Sequence, residues 1–196
     1  MSVKLEAALL LALAGVSPAM AQADDPAHAA STQYRAARHL GLPGESVKVT
    51  PATWNGAHWV FADYLTGKPG EEERQLVMLD EHMRRPPIRV TTGEQEGGVP
   101  DILAIGFANA DRDKAKELIV ILGWQIRHYD VSGTLYDVRI LDDWQPGQRA
   151  LAPVKAAERL FQHYECDCGR RDGPDQIAKV KTIAAVKQVL IRAGYR

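Results

Sequence analysis

The sequence predicts an α+β domain: a mainly antiparallel meander sheet of about six or seven strands, with a short N-terminal helix and two C-terminal helices. The apolar or alternating runs are grouped between residues 47 and 141 and are separated by short turn signals. Such grouping is typical of antiparallel strands joined without crossover helices. Helical spacing of apolar residues occurs only before and after this group. The composition, 45% apolar and 25% charged over 196 residues, is that of a globular protein.

The first 21 residues resemble an export signal and precede the predicted domain. Lys4 gives the segment a positively charged n-region, and residues 7–16 form an apolar h-region. Ala19-Met20-Ala21 then matches a small-x-small cleavage site. The apolar run is shorter than the roughly 20 residues that cross a bilayer, so we expect cleavage and no stable membrane insertion afterwards. We therefore predict an exported protein, periplasmic or secreted, with a flexible tail at 22–30 and a single domain at 31–196.

The predicted elements follow from local patterns in chain order. A helix is expected at 31–41, with Ser31 or Thr32 as its cap and Gly41 at its end. Asn55-Gly56 predicts a tight hairpin, because a type I′ turn needs positive φ at both central positions. The predicted strands occupy residues 47–54, 58–65, 75–80, 88–92, 102–107, 117–124 and 134–141.

The most apolar strand and the two final helices complete the prediction. Residues 118–122 show no polar alternation, which predicts a central strand buried on both faces. Pro153 opens a helix that continues to Tyr164. Pro174 opens a last helix whose stop is Gly194.

One loop between two apolar strands has metal-ligand spacing. Oxygen-bearing side chains occupy its first, third, fifth and ninth positions, namely Asn109, Asp111, Asp113 and Glu117. A curled loop with this spacing directs oxygens inward, as calcium requires. An EF-hand is not expected, because its twelfth position needs glutamate and here holds Val120. The alternative is a solvated hairpin loop, since basic residues are interleaved with the acidic ones.

Residues 102–122 resemble one calcium-loop repeat of the FG-GAP family, found in integrin-type β-propellers. That family joins two strands by a D-x-D-x-D-G-x-x-D loop, which Asn109, Asp111, Asp113 and Glu117 match; Lys114 replaces the loop glycine. The resemblance implies a calcium-binding hairpin loop. It implies neither a propeller nor integrin function, because only one such segment is found.

Two cysteines, Cys166 and Cys168, leave three interpretations open. An exported chain meets an oxidising compartment, which favours a small disulfide between them. A soft-metal site would have His163 as a third ligand, one fewer than zinc usually takes from protein. The third interpretation is a pair of free or intermolecularly bonded thiols.

Other chemistry is sparse in the sequence. His128 and Asp130 lie in one polar turn and are the candidate acid–base pair; the alternative is a turn stabilised by its own side chains. No nucleophile elbow, phosphate-cradling loop or dinucleotide fingerprint occurs. The net charge of −1 gives no basic footprint for nucleic acid.

These observations lead to three functional hypotheses. The leading one is an exported, non-catalytic module that engages a protein partner in an inhibitor-like or immunity-like role. The second is an envelope domain stabilised by calcium at the hairpin loop, with no other cofactor expected. The third is an unrecognised enzyme centred on His128 and Asp130.

Overall fold

The computed structural model describes residues 26–93, 98–162 and 165–196, so the predicted signal at 1–21 and His163 lie outside the described residues. Three helices and eight strands occur within these ranges. In chain order they are α1 (Pro26–Leu40), β1 (Val47–Trp54), β2 (Ala57–Thr66), β3 (Glu73–Asp80), β4 (Ile88–Gly93), β5 (Asp101–Ala108), β6 (Glu117–Arg127), β7 (Val131–Leu141), α2 (Lys155–Glu158), β8 (Glu165–Arg170) and α3 (Ile183–Arg192).

The α+β class is confirmed, but the single sheet of six or seven strands is wrong. The strands form two four-stranded antiparallel sheets, a first sheet in the order β1-β2-β3-β4 and a second sheet in the order β5-β6-β7-β8. The physical reason is burial: the central strands carry apolar side chains on both faces. One sheet covered by helices on one side would leave the other apolar face in water.

The elements form four layers: helix α1, the first sheet, the second sheet and the C-terminal helices. Alternate residues of a strand point to opposite faces, and β6 uses both. Leu118, Val120 and Leu122 pack against the first sheet, whereas Ile119 and Ile121 pack against the C-terminal helices. All five are fully buried, which confirms the prediction of a two-sided central strand. Helix α1 covers the outer face of the first sheet.

The hairpin between β1 and β2 is also confirmed. Asn55 and Gly56 have φ angles of 47° and 78°, and β1 pairs with β2 from Trp54 opposite Ala57 onward. The Asn55 side chain of this turn contacts the backbone of Lys116, the residue directly before β6 of the second sheet.

The helices differ from the prediction in their bounds. Helix α1 begins at Pro26, within the segment predicted as a tail. Strand β8 was not predicted, and α3 begins at Ile183 although the helix was predicted from Pro174. The reason is that the intervening segment follows β8: Gln176 pairs with Cys168, and Asp167 accepts the Ala178 N–H. None of the helices in the described part of the chain is long and apolar enough to span a bilayer.

The contact between α3 and β5 gives a first testable prediction. A Cβ on Gly106 would lie 2.5 Å from Cγ2 of Ile183, the first residue of α3. Gly106→Ala is therefore expected to lower the free energy of unfolding by about 1–2 kcal/mol, because overpacking displaces the helix. Urea unfolding measures this. The control is Gly123→Ala, whose Cβ meets the exposed, movable Leu103 side chain and should cost less; equal losses would contradict the prediction.

Candidate metal centre

Three carboxylates meet at one end of the second sheet. Asp111 lies in the β5–β6 loop, Glu117 is the first residue of β6, and Asp142 follows β7 directly. One oxygen of each lies within 4.8 Å of the others. The register explains the meeting: Leu118 pairs with Leu141, so the next positions outward on these neighbouring strands are Glu117 and Asp142.

Glu117 is the unusual member of this group because its side chain is fully buried. Its Oε2 accepts the backbone N–H of Ala110, and its Oε1 has no hydrogen-bond partner. A buried carboxylate oxygen without a partner is costly, and buried charges are normally paired or coordinate a metal. Binding of a cation or of a proton at Oε1 would remove this cost.

The electrostatics of the cluster agree with this description. Burial raises the pKa of Glu117 from 4.5 to about 7; the Ala110 N–H opposes the rise, and the negative charges of Asp111 and Asp113 add to it. The pKa of Asp143 is also raised, by burial first and then by the charges of Asp142, Asp113 and Asp111. Negative charges gathered in this way create a local potential that attracts cations.

The loop that carries Asp111 is shaped by its own side chains. Asp111 Oδ1 accepts the N–H of Asp113 at 2.8 Å, and Asp113 Oδ1 accepts the N–H of Ala115 at 2.7 Å. Such Asx turns curl a backbone without regular structure. The end of the loop is held by the first sheet, since Asn55 accepts the Lys116 N–H at 2.9 Å and donates to its carbonyl at 3.0 Å.

The structure brings together only part of the ligand set expected from the sequence. Asp111 and Glu117 belong to the cluster, whereas the Asn109 amide donates to the backbone oxygen of Arg196. Asp113 contributes to the electrostatics but is not among the three converging carboxylates. Asp142 was missed, because it lies 25 positions from Glu117 and only the β6–β7 register joins them.

The candidate acid–base pair lies elsewhere. His128 and Asp130 are exposed in the turn between β6 and β7, at the opposite end of β6 from Glu117. The His128 N–H donates to the Val131 carbonyl, and Arg171 donates its N–H to the Asp130 carbonyl. These backbone bonds stabilise the turn.

Cys166 and Cys168 lie in strand β8 and are joined as a disulfide, with their Cα atoms 5.3 Å apart. Residues two apart in a strand point to the same face, which brings their sulfur atoms together. Cys168 is buried and Cys166 is half-buried. The pair is distant in the chain from the carboxylate cluster, and its oxidation state in solution stays a prediction.

The fold and the cluster define a four-layer α+β domain with a carboxylate centre at one end of its second sheet. The chain is similar to the chorismate synthase of Ignicoccus hospitalis, with 31% identity over 153 residues. The match covers 75% of this chain and 37% of that protein, so the chain spans little more than a third of its relative's length. No family model matches the chain. No solved structure matches it.

This similarity corrects the leading functional hypothesis. The sequence favoured a non-catalytic module that engages a protein partner, on the ground that no catalytic motif was found. The relative is an enzyme, which contradicts that hypothesis. The absence of known motifs was a weak argument, because catalytic groups are defined by their geometry and not by a fixed sequence pattern.

Proposed function

We propose that this domain binds a calcium ion through the carboxylates of Asp111, Glu117 and Asp142. The observation that carries the proposal is the buried Oε1 of Glu117, which has no partner and belongs to a group of converging acidic oxygens. A divalent cation would pair with that oxygen and offset two of the three negative charges of the converging carboxylates. A solvated hairpin loop, the alternative from the sequence, does not account for a fully buried acidic side chain.

The chemistry of the donors favours calcium over other common metals. All three side-chain ligands are hard oxygen donors, which suit calcium or magnesium better than zinc or copper. The irregular loop supports the larger ion, because calcium accepts flexible geometry with six to eight oxygens and magnesium demands a near-ideal octahedron. The resemblance of residues 102–122 to a calcium loop points the same way.

A bound ion would link three segments of the second sheet. It would tie the β5–β6 loop to the start of β6 and to the chain leaving β7, so its binding would add to folding stability. Export, which the first 21 residues predict, would expose the site to the calcium concentrations at which extracellular modules with dissociation constants of about 10⁻⁴–10⁻³ M operate.

Thermal unfolding with calcium tests this proposal. At a free concentration of a hundred times the dissociation constant, calcium should add about 2.7 kcal/mol to stability. That corresponds to a rise of about 5–10 °C in Tm for a domain of this size, reversed by a chelator. Asp142→Asn should remove the rise, because it takes away one of the converging carboxylates.

Asp113→Asn is the matched control, since it changes a neighbouring acidic residue that is not among the three ligands. It should keep most of the calcium response. Loss of the response in Asp113→Asn but not in Asp142→Asn would instead support the ligand set expected from the loop sequence alone. No response in the unsubstituted protein would remove the proposal.

The second candidate function is catalytic, and the similarity to a chorismate synthase is the observation that favours it. We propose it for the class of activity that the relative's name states. The test is whether the purified full chain forms chorismate under assay conditions in which a chorismate synthase does. Failure to form it would remove this candidate and leave the calcium proposal unaffected.

A further inference from the structure

A second concave site lies beside the calcium loop and has a different character. It is a cavity of about 530 Å³ between the C-terminal end of α3 and the ends of the β5–β6 loop. Asn109 and Lys116, which begin and end that loop, line one side of it. The volume is in the range of small-molecule sites.

The floor of the cavity is apolar and is formed by α3, by the residues that follow it and by the end of β5. Leu190 is buried there, and Ile191 is 58% exposed. Tyr195 completes the floor, and its position is fixed by the helix end. Gly194 has a φ of 97°, the Tyr195 N–H donates to the Leu190 carbonyl, and the Gly194 N–H donates to the Ile191 carbonyl. These two hydrogen bonds form a Schellman motif, which holds the chain after the helix in one conformation.

The rim of the cavity is cationic. Lys116, Lys187 and Arg196 line it, and no Asp or Glu is found among the described residues that do so. The Arg196 backbone oxygen accepts the Asn109 amide and is not free to oppose an anion. The excess of cationic side chains is a strong local bias in a chain whose net charge is −1. Lys187 and Ile191 are four positions apart on α3, so the charge and the apolar surface share one helix face.

We propose that this cavity binds a small amphipathic anion, with a carboxylate or sulfonate group at the lysine rim and an apolar body against Leu190, Ile191 and Tyr195. The concave shape and the fixed helix end favour a free small molecule over a flat membrane surface. An apolar floor supplies affinity by burial, and the cationic rim selects the sign of the head group.

Calorimetric titration of the full chain with three probes, each with a straight chain of ten carbons, tests the charge and the apolar parts together. The probes are decanoate, decanol and decyltrimethylammonium, which share a chain and differ in head group. Decanoate should bind saturably, and the other two should bind about tenfold more weakly or not at all. Equal binding of all three, or no saturable binding of decanoate, would overturn the proposal. Excess chelator is present throughout, so decanoate cannot bind through a calcium ion at the carboxylate cluster.

Two substitutions in the cavity, each with a matched control, test whether decanoate binds there. Ile191→Asp should weaken decanoate binding about tenfold or more, because it removes floor area and adds a repelling charge. Its matched control is Ile177→Asp, which changes another exposed isoleucine outside the cavity and should leave the affinity within about twofold. Lys187→Glu should also weaken decanoate binding, and Lys179→Glu should not. An equal loss in the control variants would overturn the assignment to this cavity.

Vesicles separate a free ligand from a lipid surface. Sedimentation with vesicles containing anionic phosphatidylglycerol should show no binding that depends on Ile191. Vesicle binding that Ile191→Asp abolishes, without saturable decanoate binding, would show a membrane-contact surface and overturn the proposal of a small-molecule site.

Discussion

Replacing Glu117 with glutamine is expected to stabilise the calcium-free protein at pH 8 and to abolish its response to calcium. Both effects have one cause: the Glu117 carboxylate is fully buried, and its Oε1 has no partner. Without a bound cation, the buried Glu117 carboxylate lowers the stability of the folded protein. With a bound cation, the same carboxylate is a ligand and stabilises it. A residue that is merely structural would not show these opposite effects in one substitution.

The pH dependence gives the sign and size of the first effect. The pKa of Glu117 is raised from 4.5 to about 7, so the folded protein binds this proton more tightly than the unfolded chain does. Protonation of Glu117 makes its whole contribution to the free energy of unfolding below pH 4.5. That contribution is lost as the pH rises to about 7. A pKa difference of this size corresponds to about 3 kcal/mol. Glutamine does not ionise and does not suffer this loss.

Urea unfolding of both proteins in excess chelator, from pH 4.5 to pH 8, measures the effect. The stability of Glu117→Gln relative to the unsubstituted protein should rise by about 3 kcal/mol across this range. Glu158→Gln is the control: burial also raises the pKa of Glu158, but the residue lies outside the carboxylate cluster and should keep the calcium response. Parallel pH curves for Glu117→Gln and the unsubstituted protein would refute the assignment.

The features that the sequence predicted correctly are those encoded in a few neighbouring residues. Asn55-Gly56 specifies a hairpin because its backbone angles are intrinsic to the two residues. The apolar run at 118–122 specifies burial on both faces. Gly194 ends a helix by adopting positive φ. None of these depends on a distant part of the chain.

The features that were missed depend on distant contacts. The division into two sheets depends on which apolar faces pack against each other. The sequences of the individual strands do not determine this. Strand β8 is short and polar, and it forms because β7 offers it an edge. The segment after it is not helical because Glu165 and Asp167 bind its backbone N–H groups. Local propensity for a helix is overridden there by tertiary hydrogen bonds.

The carboxylate cluster combines both cases. Asp111 and Glu117 were predicted because they lie in one loop, and Asp142 was not because the β6–β7 register brings it near. The loop pattern also included Asn109, whose amide instead contacts Arg196. A spacing pattern indicates which side chains could converge, and the pairing of strands decides which of them do.

The second large effect on stability is expected where the chain leaves the first sheet and enters the second. Arg74 of β3 donates to Asp63 of β2 at 3.1 Å, to the Pro100 carbonyl at 2.9 Å and to Asp101 at 2.9 Å. Both Arg74 and Asp63 have side chains only 12% exposed. The guanidinium therefore joins two strands of the first sheet to the chain that enters the second.

Arg74→Met is expected to lower the free energy of unfolding by about 3 kcal/mol at pH 7.5, because it leaves the Asp63 carboxylate buried without its partner. That loss corresponds to a fall of about 6–12 °C in Tm. Burial already raises the pKa of Asp63, and Arg74 and Lys48 hold the rise in check. Removal of Arg74 should raise that pKa further, so the loss should be smaller at pH 5, where Asp63 takes up a proton more readily.

Two comparisons identify the buried charge as the cause. Adding Asp63→Asn to Arg74→Met should recover part of the stability, since the double variant has no unpaired carboxylate. Arg89→Met changes an exposed arginine on the neighbouring strand β4 and should shift stability by no more than about 0.5 kcal/mol. If the double variant were less stable than Arg74→Met alone, the loss would come from the broken contacts with Pro100 and Asp101. The arginine would then stabilise the domain by holding the passage between the sheets, and not by neutralising Asp63.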